Sequence, residues 1–130
     1  MLREDRVDDD GLAPDELDEL TELLVERRAG DVAEAQRLAE SLGVVLSARA
    51  ESADDEHDPE GPTLSYEWTR LQALRGDTAE DIAAVDAALE RIDNGTYGIC
   101  VRCGRTIGVE RLRARPTAEL CIACAMTVDS

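Results

Sequence analysis

The chain is short of the residues that usually build a large core. It has 130 residues, with no Phe, one Trp and two Tyr. The C-terminal segment from Tyr97 to Ser130 has only scattered Ile, Val, Leu and Met to bury. Such a segment needs another source of folding free energy, and a bound metal ion is one such source. The length fits one domain, or a small domain with an extension.

Positive charge is also scarce. Fourteen basic residues stand against thirty acidic ones, and the formal net charge is −16 at pH 7. Specific nucleic-acid binding needs clustered basic side chains, so we expect none from the folded chain. One local excess of positive charge could touch phosphate, but we favour a solvated face or salt bridges to acidic helices. It consists of Arg102, Arg105, Arg111, Arg113 and Arg115.

The sequence lacks the signals of a membrane or secreted protein. No apolar run approaches the ~20 residues that a membrane-spanning helix needs. The first ten residues are acidic and contain no apolar stretch, so we expect no secretory signal and a reducing, cytoplasmic location. Residues 1–13 lack periodicity and are expected to be disordered.

The sequence also lacks a recognisable catalytic set. His57 is the only histidine, and no Ser-His-Asp combination or phosphate-binding glycine loop accompanies it. We therefore expect a protein that is not an enzyme.

All four cysteines lie in the last third of the chain. They form Cys100-x-x-Cys103, seventeen intervening residues and Cys121-x-x-Cys124, which is the spacing of a tetrathiolate zinc site. Four thiolates complete a tetrahedron, so one zinc ion here would be structural and would contribute folding free energy on the order of 10 kcal/mol. Gly104 follows the second cysteine, where a zinc knuckle often needs positive φ.

Two other uses of these cysteines are disfavoured. Paired disulfides suit an oxidising compartment, which the N-terminus does not indicate. A thioredoxin-like dithiol would bring one such motif in a βαβ context, whereas this chain has two motifs and no convincing strand.

A long amphipathic helix is predicted from Thr63 to about Asp93. Thr63 is a candidate N-cap, and Asn94-Gly95 can supply a left-handed stop. The apolar positions follow a heptad pattern, and Arg75 occupies one position of this pattern. The heptad seam consists of Leu64, Trp68, Leu71, Thr78, Ile82, Val85, Leu89 and Ile92.

A partner helix is predicted from Pro14 to about Ala50. The polar stretch 51–62 between the two helices is too short for them to run parallel, so residues 14–94 should form an antiparallel hairpin with its tip at about 51–62. Gly30 and Gly76 could break or kink the helices, and we favour continuity at Gly76. The seam of the first helix consists of Leu17, Leu20, Leu24, Ala35, Leu38, Leu42 and Val45.

The C-terminal third resembles the DksA/TraR zinc-finger family. The resemblance covers about residues 85–125 and rests on Gly95-Thr96-Tyr97-Gly98, on Cys-Gly-x-x-Ile across the first knuckle, and on Arg111-Leu-x-Ala-x-Pro116. It implies a mainly α fold: an antiparallel coiled-coil helical hairpin with a C-terminal four-cysteine zinc finger. The finger would occupy residues 95–130 and end in a short helix. Members of this family bind RNA polymerase and insert the hairpin tip into its secondary channel.

The resemblance also assigns a role to acids at the tip. The family carries Asp-x-x-Asp followed two residues later by Ala, and Asp55 and Asp58 keep this spacing, with Glu60 in place of the alanine. Asp54 adds a further carboxylate beside them. Such acids could perturb the polymerase active centre or its magnesium. The alternative is a solvated acidic turn without a role.

These patterns support two functions. The first is a cytoplasmic, monomeric transcription regulator that binds core RNA polymerase and modulates initiation without sequence-specific DNA binding. The second is a zinc-stabilised acidic coiled-coil adaptor for another basic protein.

Overall fold

The computed structural model describes residues 11–52 and 61–129. Four helices follow one another: α1 (Pro14–Ser52), α2 (Gly61–Asn94), α3 (Val109–Ala114) and α4 (Ile122–Asp129). The described residues contain no strand, only an isolated antiparallel bridge between Ile99 and Thr106. The predicted mainly α fold is confirmed. The chain divides into two compact units, a base unit (described residues 11–28 and 84–129) and an arm unit (29–52 and 61–83).

The base unit joins the start of α1, the end of α2 and the cysteine-containing segment in one core. Leu20 and Leu24 from α1 meet Val85 and Ala88 from α2. The cysteine-containing segment adds four more buried side chains to the same cluster. These are Tyr97, Cys100, Ile107 and Leu112. The finger and the ends of the hairpin helices therefore fold around a common apolar interior.

The arm unit has a smaller core. Leu38, Leu42 and Val45 from the second half of α1 pack with Leu71 from the first half of α2, and Trp68 lies partly buried beside them. In each unit, an early part of one helix meets a late part of the other, which is the antiparallel pairing that the sequence predicts. The guanidinium of Arg49 lies 5.4 Å from the centre of the Trp68 ring, within the range of a cation–π contact.

The seam is less continuous than the heptad pattern predicts. No residue in 25–37 or 72–84 is buried, although both ranges lie within the described helices. Three of the seam positions there carry Ala35, Arg75 and Thr78, which have too little apolar surface to exclude water. The fourth, Ile82, is only partly buried. The predicted apolar seam thus forms two separate clusters.

The helix ends match the predictions in part. Gly95 has φ 80° directly after α2, and the Thr96 N–H donates to the Arg91 carbonyl at 2.9 Å, so the predicted stop is confirmed. The N-cap prediction at Thr63 is wrong, because α2 already begins at Gly61 with Pro62 in its first turn. Both α1 and α2 continue through their internal glycines, Gly30 and Gly76.

The predicted disordered segment 1–13 lies outside the described residues except for its last three. Leu12 and Leu17 pack against the base core on either side of the first helical turn. The Ala13 N–H donates to a carboxylate oxygen of Glu16 at 2.9 Å, which satisfies a backbone donor that α1 leaves free.

Candidate metal centre

The structure brings the four cysteines together. Their Sγ atoms all lie within 4.8 Å of one another, and the Sγ atoms of Cys103 and Cys121 are 3.7 Å apart. Zinc–thiolate bonds of about 2.3 Å in a tetrahedron place sulfur atoms about 3.8 Å apart. None of the four forms a disulfide. The separations therefore suit a tetrahedral zinc ion.

The first knuckle is held by a short hairpin of backbone hydrogen bonds. The Cys100 N–H donates to the Arg105 carbonyl at 2.7 Å, and the Gly104 N–H donates back to the Cys100 carbonyl at 2.9 Å. The reversal requires a left-handed residue, and Gly104 has φ 78°. The predicted role of Gly104 is confirmed.

The second knuckle lies at the start of α4. Cys121 immediately precedes the helix, and Cys124 lies in its first turn, where backbone N–H groups have no partner within the helix. The Cys124 N–H lowers the pKa of the Cys121 thiol. The Val101 N–H donates to the Glu119 carbonyl at 2.9 Å, which ties the two knuckles together.

Backbone donors also surround the buried thiol. Burial raises the pKa of Cys100, but the N–H groups of Cys103, Cys121 and Arg102 outweigh it and lower the pKa to about 6. Burial raises the pKa of the Cys124 thiol to about 12. Zinc binds thiolates, so metal binding releases the remaining protons, and the N–H donors stabilise the negative charge that is left.

The chemistry of this site is structural zinc binding. Four thiols fill the coordination sphere of one Zn²⁺ and leave no position for water or substrate. The residues that would hold the ion are Cys100, Cys103, Cys121 and Cys124. Among the described residues, no second group of three or more His, Cys, Asp or Glu side chains could hold a metal.

The motifs flanking the knuckles meet in space. Tyr97 is 7% exposed, and its hydroxyl donates to the Pro116 carbonyl at 2.7 Å. Burial raises the pKa of Tyr97 to about 12 against the opposing effect of the nearby Arg91 charge, so the phenol keeps the proton that it donates. The Arg111 Nε donates to the Leu120 carbonyl at 2.8 Å. The first bond joins the segment before the first knuckle to the segment before the second, and the second bond joins α3 to the residue before Cys121.

Known proteins share this finger. Residues 95–129 match the family described as prokaryotic dksA/traR C4-type zinc finger. The finger is of the DksA/TraR type. The solved structure of transcription factor DksA2 from Pseudomonas aeruginosa matches 89% of this chain and 84% of that chain, with a TM-score of 0.64 and 24% identity. That likeness shows the fold.

Two curated relatives set the extent of the sequence similarity. The RNA polymerase-binding transcription factor DksA of Haemophilus influenzae is 50% identical over 40 residues, which are 31% of this chain and 28% of that protein. An uncharacterised protein of Aquifex aeolicus is 39% identical over 66 residues, which are 51% of this chain and 46% of that protein. The matches span less than half the length of these relatives.

The base unit has contacts that the sequence did not reveal. Arg113 donates from Nε and Nη2 to the two carboxylate oxygens of Glu19, at 2.9 and 3.1 Å, and so clamps the finger to α1. The side chain of Leu12 lies against Gly98, where an added Cβ would come within 3.1 Å of its Cδ1. The two contacts join residues that are 94 and 86 positions apart in the sequence. No local pattern could have indicated them.

The predicted tip acids lie outside the described residues. Asp54, Asp55 and Asp58 fall in the eight residues, 53–60, that connect α1 to α2. No helix in the described part of the chain is both long enough and apolar enough to cross a membrane.

Proposed function

We propose that this protein is a member of the DksA/TraR family and a transcription regulator that binds core RNA polymerase. The observation that carries the proposal is the four-cysteine cluster within residues 95–129, which match the dksA/traR zinc-finger family. A stretch of 40 residues is also 50% identical to an RNA polymerase-binding transcription factor. The closed thiolate shell supports a binding role and not an enzymatic one. We further propose that the protein acts in the cytoplasm as a monomer and binds no specific DNA sequence.

The proposed working part is the connection between α1 and α2. The helices end at Ser52 and start again at Gly61, so the carboxylates of Asp54, Asp55 and Asp58 are on a short link between paired helices. Inserted into the polymerase secondary channel, these carboxylates would compete for basic groups or perturb the catalytic magnesium. The zinc-anchored base would hold the hairpin during this contact.

The test combines binding with transcription. Biolayer interferometry should detect the zinc-loaded protein binding core RNA polymerase, and addition of the protein should change the yield of initiation in a purified transcription assay. The double substitution Asp55→Asn, Asp58→Asn should abolish the change in initiation but preserve most of the binding. Asp77→Asn, Asp93→Asn is the matched control, because it removes the same charge from two exposed positions on α2.

Each arm of the test has a contrary outcome. A tip variant that regulates as well as the wild type would remove the tip assignment. Failure of the wild type to bind polymerase would remove the whole proposal and leave the adaptor hypothesis, in which the acidic helices bind another basic protein.

A further inference from the structure

The structure sorts the five finger arginines into two groups. Arg111 and Arg113 are engaged in the fold, through the Leu120 carbonyl and through Glu19 and Glu110. Arg102 and Arg105 on the first knuckle, and Arg115 after α3, are exposed, and their side chains have no hydrogen-bond or ion-pair partner within the described residues. The fold of the base unit accounts for the first group and leaves the second without a structural role.

Arg102 and Arg105 lie on a preorganised loop. All five residues of the knuckle tip, 101–105, are exposed, and Val101 leaves 63% of its surface in water. The backbone beneath them is fixed by the bonds of Cys100 to Arg105 and of Val101 to Glu119. A loop that is already ordered loses little backbone entropy when it binds. Arginine is also enriched at protein interfaces.

The charge around the knuckle tip is opposite in sign to that of the rest of the chain. Residues 95–129 carry five arginines against three acidic side chains, a formal net charge of +2. Residues 1–94 carry nine arginines against 27 acidic side chains, a formal net charge of −18. An acidic partner attracts the finger and repels the rest of the chain, so the finger should approach the partner first. A nucleic acid, with one charge per ~1.7 Å of duplex, would be repelled by the remaining acids.

We propose that the knuckle tip, Val101 to Arg105, is a docking surface for an acidic patch on a protein. This inference rests on the proposed function and names the partner surface within it: an acidic region of RNA polymerase that offers carboxylates to Arg102 and Arg105 and an apolar contact to Val101. The knuckle tip is then a second contact, distinct in sequence and in charge from the acids at 54–58.

Charge reversal tests the docking surface. The substitutions Arg102→Glu and Arg105→Glu should each weaken binding to core RNA polymerase by about tenfold in biolayer interferometry and reduce its salt dependence. Arg75→Glu is the matched control: it makes the same charge change at an exposed α2 position without a partner in the described residues, and it should shift the affinity less than twofold. Arg102→Lys keeps the positive charge and should retain most of the binding. Val101→Ala should weaken the binding severalfold.

The folded state is checked in parallel. Each variant should retain one zinc per chain by mass spectrometry and an unchanged circular dichroism spectrum, because the substituted side chains are exposed and form no hydrogen bond or ion pair among the described residues. Wild-type affinity in both arginine variants would overturn the docking surface. An equal loss in Arg75→Glu would show that net charge alone acts, and retention of wild-type protein by a DNA duplex, lost in Arg102→Glu, would overturn the partner class.

These outcomes separate the inference from the function on which it rests. If the wild type binds polymerase and the variants bind equally well, only the docking surface fails. If the wild type does not bind, the proposed function fails first.

Discussion

The base unit and the arm unit share two helices but are stabilised differently. The base unit has eight buried apolar side chains, of which six are fully buried: Leu20, Leu24, Val85, Ala88, Cys100 and Leu112. The arm unit has four, and each of them keeps 3–7% of its surface exposed. Tyr97 and Ile107 in the base core keep 7% and 8% exposed, but the other six side chains are almost completely shielded from water, which none of the four arm side chains is. The base should therefore resist local opening better than the arm.

The glycines show the same contrast. All four glycines of the finger, at 95, 98, 104 and 108, have positive φ, where an L side chain is strained. Gly30, Gly43 and Gly76 lie inside helices of the arm unit, and a Cβ added at any of them would meet nothing within 4 Å. Finger glycines are required by backbone geometry, while the arm glycines reduce helix stability without a steric reason.

Loss of a zinc ligand should have the largest effect on the difference in stability between the base unit and the arm unit. We expect Cys121→Ser to reduce bound zinc well below one per chain and to remove most of the stabilisation, on the order of 10 kcal/mol, that a structural zinc supplies. Amide hydrogen exchange should accelerate most over residues 95–129. Ala123→Ser, which introduces the same side chain at an exposed neighbouring position, should leave both readouts unchanged. Full zinc content and protection in Cys121→Ser would contradict the site.

Truncation of one leucine in each unit compares the two cores directly. Leu24→Ala should lower the free energy of unfolding by about 3–5 kcal/mol, because a fully buried side chain leaves a cavity that its neighbours cannot close. Leu38→Ala, on the same helix, should cost about 1–3 kcal/mol, since the smaller cluster can relax. Urea denaturation of zinc-loaded protein measures both. Equal losses would mean that the two cores are equally constrained.

Alanine at one glycine of each unit should have effects of opposite sign. Gly98→Ala should destabilise the base by about 1–3 kcal/mol, because Gly98 has φ 86° and its Cβ would approach Leu12. Gly30→Ala should stabilise the arm by about 0.5–1 kcal/mol through higher helix propensity. Thermal denaturation of both variants tests the signs. A destabilised Gly30→Ala protein would indicate that the helix needs flexibility there.

Removal of the Tyr97 hydroxyl should have a smaller effect with a characteristic pH dependence. Tyr97→Phe should cost about 1 kcal/mol at neutral pH, because the Pro116 carbonyl loses its donor. Burial raises the pKa of Tyr97 from 10.0 to about 12, so the folded state holds the phenol proton more tightly than the unfolded state. The stabilisation is complete below about pH 10 and is lost as the pH rises towards about 12.

The measurement is the free energy of unfolding across this pH range. The wild type should lose stability between pH 10 and 12, and Tyr97→Phe should lose less over the same interval. Parallel curves for the two proteins would show that the phenol titrates in the folded state as it does in the unfolded state.

Local patterns predicted much of the fold and the metal centre. The cysteine spacing indicated one cluster, the heptad positions indicated Leu20, Leu24 and Leu71 as core, and Gly104 marked the tight reversal. These predictions succeed because ligands within a knuckle, residues along a helix face and turn residues are constrained by neighbours in the sequence. Helix α2 starts two residues earlier than predicted. Pro62 is compatible with the first turn of a helix, so the helix does not need Thr63 as its N-cap.

The sequence by itself determined that four thiols share an ion, that two apolar stripes form helices, and that acidic charge dominates outside the finger. Only the tertiary structure decided that the seam separates into two clusters, that Leu12 packs against Gly98, and that Arg113 pairs with Glu19 while Arg102 remains in water. Spacing and periodicity are local properties of a chain. Burial and pairing depend on which distant side chains arrive at the same place, and that is decided by the packing of the whole unit.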